Sequence, residues 1–299
     1  MSEDTMYFFW DLGQYLLNGL TQGSIYALIA LGYTMVYGII KLINFAHGEF
    51  YMIGGFIGYY CIMGGMPLYM AFPVAMLGSG VIAVIVEKIV YRPIRSAGRI
   101  PALITALGTS LFFQYTGQLI IGADSKAFPT AIEQKMWFFG EIMISNIQVI
   151  ILVTTFILMI FLWWLVNRTR IGKAMKATSY NHDAAELMGI DTNKIISFTF
   201  FVGASMAGAA GVLVGMYYST VEPMMGLIPG LKAFIAAVLG GIGIIPGAVI
   251  GGLTLGVAEN LVVGFWESTY RDGIAFLILI LILLVKPAGI LGKNRKEKV

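Results

Sequence analysis

Charged residues are scarce in this sequence, and their scarcity excludes a soluble fold. Only 12% of the 299 residues are Asp, Glu, Lys or Arg, whereas 58% are hydrophobic. A soluble domain of this length needs a polar surface that so few charges cannot supply. The mean hydropathy of +0.84 agrees with this conclusion. The chain is therefore predicted to lie largely within a membrane.

Residues that catalyse reactions or bind metals are also scarce. The single cysteine, Cys61, excludes an internal disulfide and lies apart from the two histidines, His47 and His182. This separation leaves no cluster of metal ligands. The sequence contains no G-x-S-x-G turn and no G-x-x-x-x-G-K-[ST] phosphate loop. We therefore expect no enzyme activity, no metal and no bound cofactor, and any ATP would bind another subunit.

Long apolar runs predict an all-α, polytopic membrane protein that forms one transmembrane domain over residues 1–299. The runs are continuous, whereas the strands of a membrane β-barrel alternate over about 10 residues. About 20 apolar residues cross a hydrocarbon core roughly 30 Å thick. By this measure we expect eight or nine transmembrane helices, some short, glycine-rich and broken. The candidate segments are 12–40, 45–64, 68–90, 101–122, 146–166, 195–218, 230–245, 247–265 and 273–291.

The distribution of cations predicts which loops are cytoplasmic. Lys and Arg concentrate in 88–99, in 168–194 and in the tail from Lys286 to Lys298, whereas the acidic N-terminus has none before Lys41. Under the positive-inside rule, nine spans with the N-terminus outside satisfy every loop. A re-entrant pair at 230–265 would leave seven spans, and eight would require the N-terminus inside. Glu87 and Lys88 fall at a cytoplasmic helix end, where snorkelling explains both. The cations cluster in loops, so no nucleic-acid partner is expected.

Two segments are too polar or too rich in glycine to continue a membrane helix. Residues 41–49 (KLINFAHGE) place four polar side chains between apolar runs, and 239–247 (LGGIGIIPG) contains glycines and a Pro-Gly pair. Such breaks persist only inside protein or beside water, and transporters often place their pathway there. The residues that we consider as pathway candidates are Asn44, His47, Glu49, Lys232, Gly240, Gly241, Glu259 and Asn260.

Each ionisable candidate also has a structural interpretation. His47 and Glu49 could line a polar vestibule, but we favour a position at the membrane interface, with pairing to Lys41 or capping of a helix. Lys232 and Glu259 could form an ion pair between neighbouring helices or could meet a zwitterion in the pathway. We favour the structural ion pair for these two residues.

The polar segment 168–194 is predicted to project into the cytoplasm and to bind a soluble partner. Its core, DAAELMG (183–189), predicts a short helix that ends at a glycine. Ala184 and Ala185 have small side chains, so we expect a closely packed interface at their positions. The residues assigned to this coupling helix are Lys173, Lys176, Asp183, Ala184, Ala185, Glu186 and Gly189.

Several stretches resemble the LivH-type permeases, which are membrane subunits of ABC importers for branched-chain amino acids. They are GLTQGSIYALIALGYTMVYG (19–38), INFAHGEF (43–50), YRPIR (91–95), KAFIAAVLGGIG (232–243) and PAGILG (287–292). Together they cover the chain almost from end to end. Residues 183–189 also resemble the E-A-A-x-x-x-G signature of importers, with Asp183 in place of glutamate.

The resemblance implies an assembly in the bacterial inner membrane. It would contain a second related permease, two ATPase subunits that bind ATP and Mg²⁺, and a periplasmic protein that delivers leucine, isoleucine or valine. The helix at 183–189 would seat in the ATPase. Related permeases serve urea and short amides, and the quoted motifs do not separate these substrates.

Two functions outside this family are also compatible with the sequence. A secondary transporter would couple uptake to protons through His47, Glu49 or Glu259. A passive channel would conduct a small neutral solute such as urea, but it would leave the helix at 183–189 without a role.

Overall fold

The computed structural model describes residues 3–95 and 97–292, most of which are helical. The α-helices are α1 (Glu3–Ile40), α2 (His47–Met63), α3 (Leu68–Val86), α4 (Arg92–Ile94), α5 (Arg99–Ile121), α6 (Asn146–Arg168), α7 (Arg170–Tyr180), α8 (His182–Leu187), α9 (Thr192–Tyr218), α10 (Leu227–Gly240), α11 (Ile245–Phe265) and α12 (Tyr270–Val285). A π-helical turn, Glu87–Tyr91, joins α3 to α4. Four short strands are β1 (Lys126–Ala127), β2 (Met136–Phe139), β3 (Ile142–Ser145) and β4 (Thr220–Val221).

Each of the nine predicted segments coincides with a helix, and the helical membrane fold is confirmed. Five stretches within the described residues are long and apolar enough to cross a membrane: Met6–Ile40, Leu68–Ile94, Asn146–Arg168, Thr192–Tyr218 and Ile245–Phe265. The helices α2, α10 and α12 are shorter, with 17, 14 and 16 residues. The predicted cytoplasmic tail from Lys293 to Lys298 lies outside the described residues.

The glycine-rich region after residue 219 is broken in two places. Residues 241–244 separate α10 from α11, as the sequence predicts, and Gly241 and Gly243 have φ values of 106° and 94° that favour glycine. Residues 222–226 form a second break before α10, between the predicted segments 195–218 and 230–245. The 14 residues of α10 span only about 21 Å, less than a hydrocarbon core. α10 is thus a partial span, whereas α11, with 21 residues, is a full one.

Glycines allow the central helices to approach closely. A Cβ added to Gly54 of α2 would overlap the backbone of Gly208 in α9, and one added to Gly23 of α1 would overlap the backbone of Leu253 in α11. α1 and α9 meet in the same way at Gly32 and Gly203. In lipid, where apolar burial does not drive helices together, such close packing supplies much of the attraction. α1 and α9 form the centre of the bundle, and both are largely buried.

The first turn of α2 lies deep in the bundle. The imidazole of His47 occupies the space beside Gly32, near the carbonyl of Gly203. Gly203 lies near the middle of Thr192–Tyr218, a stretch that is long and apolar enough to cross a membrane. Gly48 packs against Gly226, immediately before α10, so α2 and α10 both begin near mid-membrane.

Two small β-ribbons, which were not predicted from the sequence, lie at the end of the bundle opposite the cation-rich loops. β1 pairs with β4, and β2 pairs with β3 as an antiparallel hairpin. The side-chain amide of Gln14 in α1 fixes this hairpin: Nε2 donates to the carbonyl of Met143 at 3.2 Å, and the N–H of Met143 donates to Oε1 at 2.8 Å. Residues Met136–Phe139 of the hairpin are all exposed and apolar.

We expect Gly54→Ala to destabilise the chain by about 1–3 kcal/mol, because the added methyl group overlaps the backbone of α9. Thermal unfolding of the purified protein in detergent, followed by tryptophan fluorescence, measures this loss. Gly108→Ala in α5 is the matched control, since no described atom beyond the adjoining backbone of α5 lies within 4 Å of its added Cβ. That variant should keep or raise the melting temperature, because alanine favours a helix over glycine by up to about 1 kcal/mol. Equal melting temperatures for the two variants would contradict the packing argument.

Candidate functional site: the docking segment and the polar helix break

The docking segment, residues 168–194, folds into α7, α8 and the start of α9. α8 begins after Asn181, whose side chain accepts a hydrogen bond from the N–H of Ala184 at 3.0 Å. It ends before Gly189, which has a φ of 82°. The N–H of Gly189 donates to the carbonyl of Glu186, and that of Ile190 to the carbonyl of Ala185. The short helix that the sequence predicts is therefore present and closed at both ends by hydrogen bonds.

The exposed apolar surface of α8 differs from the one expected. Ala185 is buried within the chain, with only 4% of its surface exposed, so it does not form the closely packed interface expected there. Leu187 and Met188 instead project outward, with 88% and 82% exposed. Two adjacent large apolar residues in a polar loop indicate a docking surface, and the prediction from the sequence did not include them.

The docking segment also exposes charged side chains. Lys173, Lys176, Asp183 and Glu186 are exposed, as the assignment of a docking surface requires, and Ala184 is exposed beside them. The Nζ of Lys176 donates to Asn167 at 2.7 Å. The segment therefore exposes two large apolar side chains and charges of both signs, and protein–protein interfaces likewise combine apolar and polar groups.

α8 is attached firmly to the beginning of α9. The hydroxyl of Thr192 donates to a carboxylate oxygen of Glu186. Asp191 caps α9 by accepting a hydrogen bond from the N–H of Lys194 at 3.0 Å. That backbone hydrogen bond, with the Lys194 side chain beside it, lowers the pKa of the Asp191 carboxyl. The cap is therefore ionised at neutral pH, and the hydrogen bond between Thr192 and Glu186 links α8 to the first turn of α9.

The polar helix break, residues 41–49, lies inside the bundle. Asn44, His47 and Glu49 are each at most 3% exposed, so the expectation that His47 and Glu49 sit at the membrane interface is wrong. The imidazole of His47 packs against the rings of Tyr33 and Phe50, at centroid distances of 4.7 and 6.0 Å. The depth at which α2 begins explains the burial, because its first turn is surrounded by α1, α9 and the start of α10.

Glu49 connects α2 to α5. Its Oε1 accepts hydrogen bonds from the hydroxyl of Ser110 and the amide of Gln114, each at 2.8 Å. Neither donor was predicted from the sequence, although two polar residues four apart in an apolar run lie on one helix face. The second oxygen of Glu49 has no hydrogen-bond partner among the described residues, nor have Nε2 of His47 and Nδ2 of Asn44. Such groups are costly to bury and mark functional sites in membranes.

Lys232 and Glu259 form the ion pair that the sequence predicts, within a larger network. The Nζ of Lys232 lies 3.0 Å from Glu259 and 2.7 Å from Asp272. The Nε of Arg271 lies 3.1 Å from Glu259, and the hydroxyl of Tyr26 donates to the same carboxylate at 2.9 Å. We call these five residues the Glu259 network. Its two cations balance its two carboxylates, and it joins α1, α10, α11 and α12.

The remaining pathway candidates are engaged in local packing. Asn260 donates to the carbonyl of Gly256 in its own helix at 2.9 Å. A Cβ on Gly240 would overlap the carbonyl of Gly247, and one on Gly241 would approach the backbone of Gly292. These glycines hold α10 against α11 and against the residues that follow α12. The structure thus brings Asn44, His47 and Glu49 together on one segment and places the remaining candidates elsewhere.

A helical bundle with membrane helices that begin at mid-depth and a docking helix at its cation-rich end has the architecture of a transporter membrane subunit, or permease. The family described as branched-chain amino acid transport system / permease component matches residues 15–283. The chain belongs to this family and is a multi-pass protein of the cell inner membrane, which confirms the resemblance seen in the sequence.

Individual relatives match over nearly the full length. The chain is 45% identical to the high-affinity branched-chain amino acid transport system permease protein BraD of Pseudomonas aeruginosa, over 96% of this chain and 97% of the relative. It is 43% identical to the corresponding protein LivH of Escherichia coli K12, over 100% of each chain. The ribose import permease protein RbsC of Escherichia coli K12 is 26% identical, over 94% of this chain and 86% of the relative.

A solved structure shares the fold. It belongs to a protein described as a metal-chelate type ABC transporter in an inward-facing conformation, and it matches with a TM-score of 0.51. The match covers 90% of this chain and 87% of that chain, at 16% identity. At this identity the likeness concerns the arrangement of helices alone.

We expect Glu259→Gln to lower the free energy of unfolding by about 3 kcal/mol, because Lys232 and Arg271 would lose a buried counter-charge. The control is Glu267→Gln, which removes an exposed carboxylate near the end of the same helix. Thermal unfolding of both variants in detergent tests the prediction. If Glu259→Gln melts at the temperature of the control, the network does not stabilise the bundle.

Proposed function

We propose that this chain is the membrane subunit of an ATP-driven importer and forms half of a translocation pathway for branched-chain amino acids. The observation that carries the mechanism is α8, a short helix capped at both ends that exposes Leu187 and Met188. The family to which the chain belongs indicates the class of transporter. The relatives that match over nearly the full length are named for branched-chain amino acids, which supports leucine, isoleucine and valine as substrates.

The partner at α8 is an ATPase subunit. Two such subunits would bind ATP and Mg²⁺, one for each permease of the assembly. Hydrolysis would displace α8, and because α8 is hydrogen-bonded to the first turn of α9, the displacement would enter the membrane bundle as a movement of a rigid element. This chain itself supplies the pathway and the docking surface.

A second permease would complete the pathway against α5. One side of α5 contacts Glu49 through Ser110 and Gln114, whereas its other side exposes Leu111, Phe112 and Tyr115. Gly117 of α5 also lies beside Pro223, in the break before α10. The inner side of α5 thus adjoins both segments that begin at mid-depth, and its outer side is exposed. A related subunit facing this surface would enclose a passage between the two chains.

A periplasmic binding protein would deliver the substrate to the end of the bundle that carries the β-ribbons. Specificity would lie largely in that protein, since the polar residues near mid-membrane offer few groups with which to distinguish one apolar side chain from another. The chain would then accept whatever amino acid the loaded binding protein releases.

Reconstitution tests the function directly. We would purify the chain with its co-purifying permease and ATPases, insert the complex into liposomes, and supply ATP inside and the loaded binding protein outside. We expect uptake of leucine, isoleucine and valine that requires ATP. Uptake of urea or acetamide in their place would assign the second substrate class, and uptake by this chain alone that collapses with a proton gradient would contradict the importer.

For the docking surface, we expect Leu187→Glu combined with Met188→Glu to reduce binding of the ATPase by about tenfold or more, because buried charges replace two apolar anchors. Leu187→Met is the conservative control and should bind as the wild type does. Co-purification of the ATPase and hydrolysis stimulated by the binding protein are the two measurements. Normal stimulation in the charged variant would show that α8 does not contact the ATPase.

A further inference from the structure

Glu87 is a buried carboxylate to which the proposed function gives no role. The expectation that snorkelling explains both Glu87 and Lys88 is wrong for Glu87, whose side chain is fully buried, whereas Lys88 is exposed. A carboxylate is removed from water only at a cost that cations and hydrogen-bond donors must offset. The donors around Glu87 therefore indicate which parts of the chain it holds together.

Three side chains donate hydrogen bonds to Glu87. Arg92 donates through Nε at 3.3 Å and Nη2 at 3.1 Å, and Arg95 donates through Nη2 at 2.7 Å. The hydroxyl of Ser197 donates at 2.6 Å and accepts from Nη2 of Arg92 at 2.9 Å. Since Ser197 belongs to α9, this Glu87 cluster joins the π-helical turn to the second turn of α9.

The start of α9 is also where the docking helix is attached. Thr192, the first residue of α9, donates to Glu186 of α8. The next residue, Asn193, accepts a hydrogen bond from Nη1 of Arg95 at 3.1 Å. The first turn of α9 therefore lies between the docking helix and the Glu87 cluster. Thr192 connects this turn to the docking helix, and Asn193 connects it to Arg95 of the cluster.

The opposite end of the π-helical turn reaches the polar helix break. The hydroxyl of Tyr91 donates to Oδ1 of Asn44 at 2.5 Å, and its ring packs against Phe200 of α9 at a centroid distance of 5.4 Å. Asn44 lies three residues before α2, and Glu49 in the first turn of α2 connects to α5. In the turn itself the N–H of Arg92 donates to the carbonyl of Glu87, five residues back. Single π-helical turns of this kind occur frequently at functional sites.

We propose that Glu87 and Tyr91 are positioning residues that transmit a displacement of α8 to the polar helix break, and from there to α2 and α5. The inference rests on the proposed function, because it requires an ATPase that displaces α8. Two arginines and a serine hold Glu87, so this part of the connection is stiff. The Tyr91–Asn44 hydrogen bond joins two neutral side chains, so it can be removed without leaving a buried charge unpaired.

The test is Tyr91→Phe in the complete importer, reconstituted with its ATPases and loaded binding protein. We expect assembly and basal hydrolysis to stay at the wild-type level. The number of leucine molecules transported per ATP should fall about fivefold or more, which is the lower end of typical coupling between sites. A purely structural role for the hydroxyl would lower thermal stability and leave this ratio unchanged.

Tyr26→Phe is the matched control. It removes the hydroxyl of another buried tyrosine, which donates to Glu259 within the Glu259 network. It should lower the melting temperature and preserve the transport ratio. An unchanged ratio in Tyr91→Phe would overturn the transmission through Tyr91. A wild-type complex without hydrolysis stimulated by the binding protein would instead overturn the proposed function.

Asn44→Leu provides an independent variant, because it removes the acceptor of the same hydrogen bond. If that bond transmits the displacement, Tyr91→Phe, Asn44→Leu and the double variant should all reduce the ratio by the same factor. Effects that multiply in the double variant would show that the two residues act separately, and would overturn the connection between them.

Discussion

Close contact between glycine backbones is the constraint on which the rest of the structure depends. In lipid the helices gain little from burying apolar side chains, so they are held together by packing at short range. Gly32 with Gly203 and Gly54 with Gly208 bring α1, α2 and α9 together at the centre of the bundle. These contacts allow α2 to begin at mid-membrane, because they surround its first turn with protein. The polar side chains of that turn depend on the same contacts, because lipid would not tolerate them.

The Glu259 network and the polar helix break differ in how their buried groups are paired. In the Glu259 network every charge has a partner of opposite sign, which suits a cluster that keeps helices in fixed positions. Around the polar helix break, by contrast, side-chain atoms of Asn44, His47 and Glu49 lack hydrogen-bond partners among the described residues. Oε1 of Glu259 also has no hydrogen-bond partner among the described residues, but it lies 3.0 Å from the Nζ of Lys232. A region whose buried polar atoms have neither a hydrogen bond nor an ion pair gains free energy from an alternative arrangement more readily than a region whose charges are paired. The break is therefore the part of the interior best suited to change during transport.

The sequence is sufficient to predict features that depend on local composition. Long apolar runs locate the helices, the glycine at 189 marks the end of α8, and opposite charges on neighbouring helices predict the pair of Lys232 and Glu259. It is less informative about depth, because burial depends on what surrounds a segment. His47 and Glu49 look interfacial when read along the chain, and Glu87 looks exposed, since each lies near the end of an apolar run. Part of their surroundings comes from α5 and α9, which are distant in sequence, such as Ser110 for Glu49 and Ser197 for Glu87.

The length of α1 has a further mechanical consequence. Its 38 residues extend about 57 Å, whereas the hydrocarbon core measures roughly 30 Å. A large part of this single helix therefore stands outside the hydrocarbon, and Gln14 fastens the β2–β3 hairpin to that projecting part. The same helix passes His47 and continues toward the cation-rich loops. α1 is thus one uninterrupted helix from the β2–β3 hairpin to the polar helix break. A tilt of α1 imposed at its projecting end therefore reaches the break without passing through any loop.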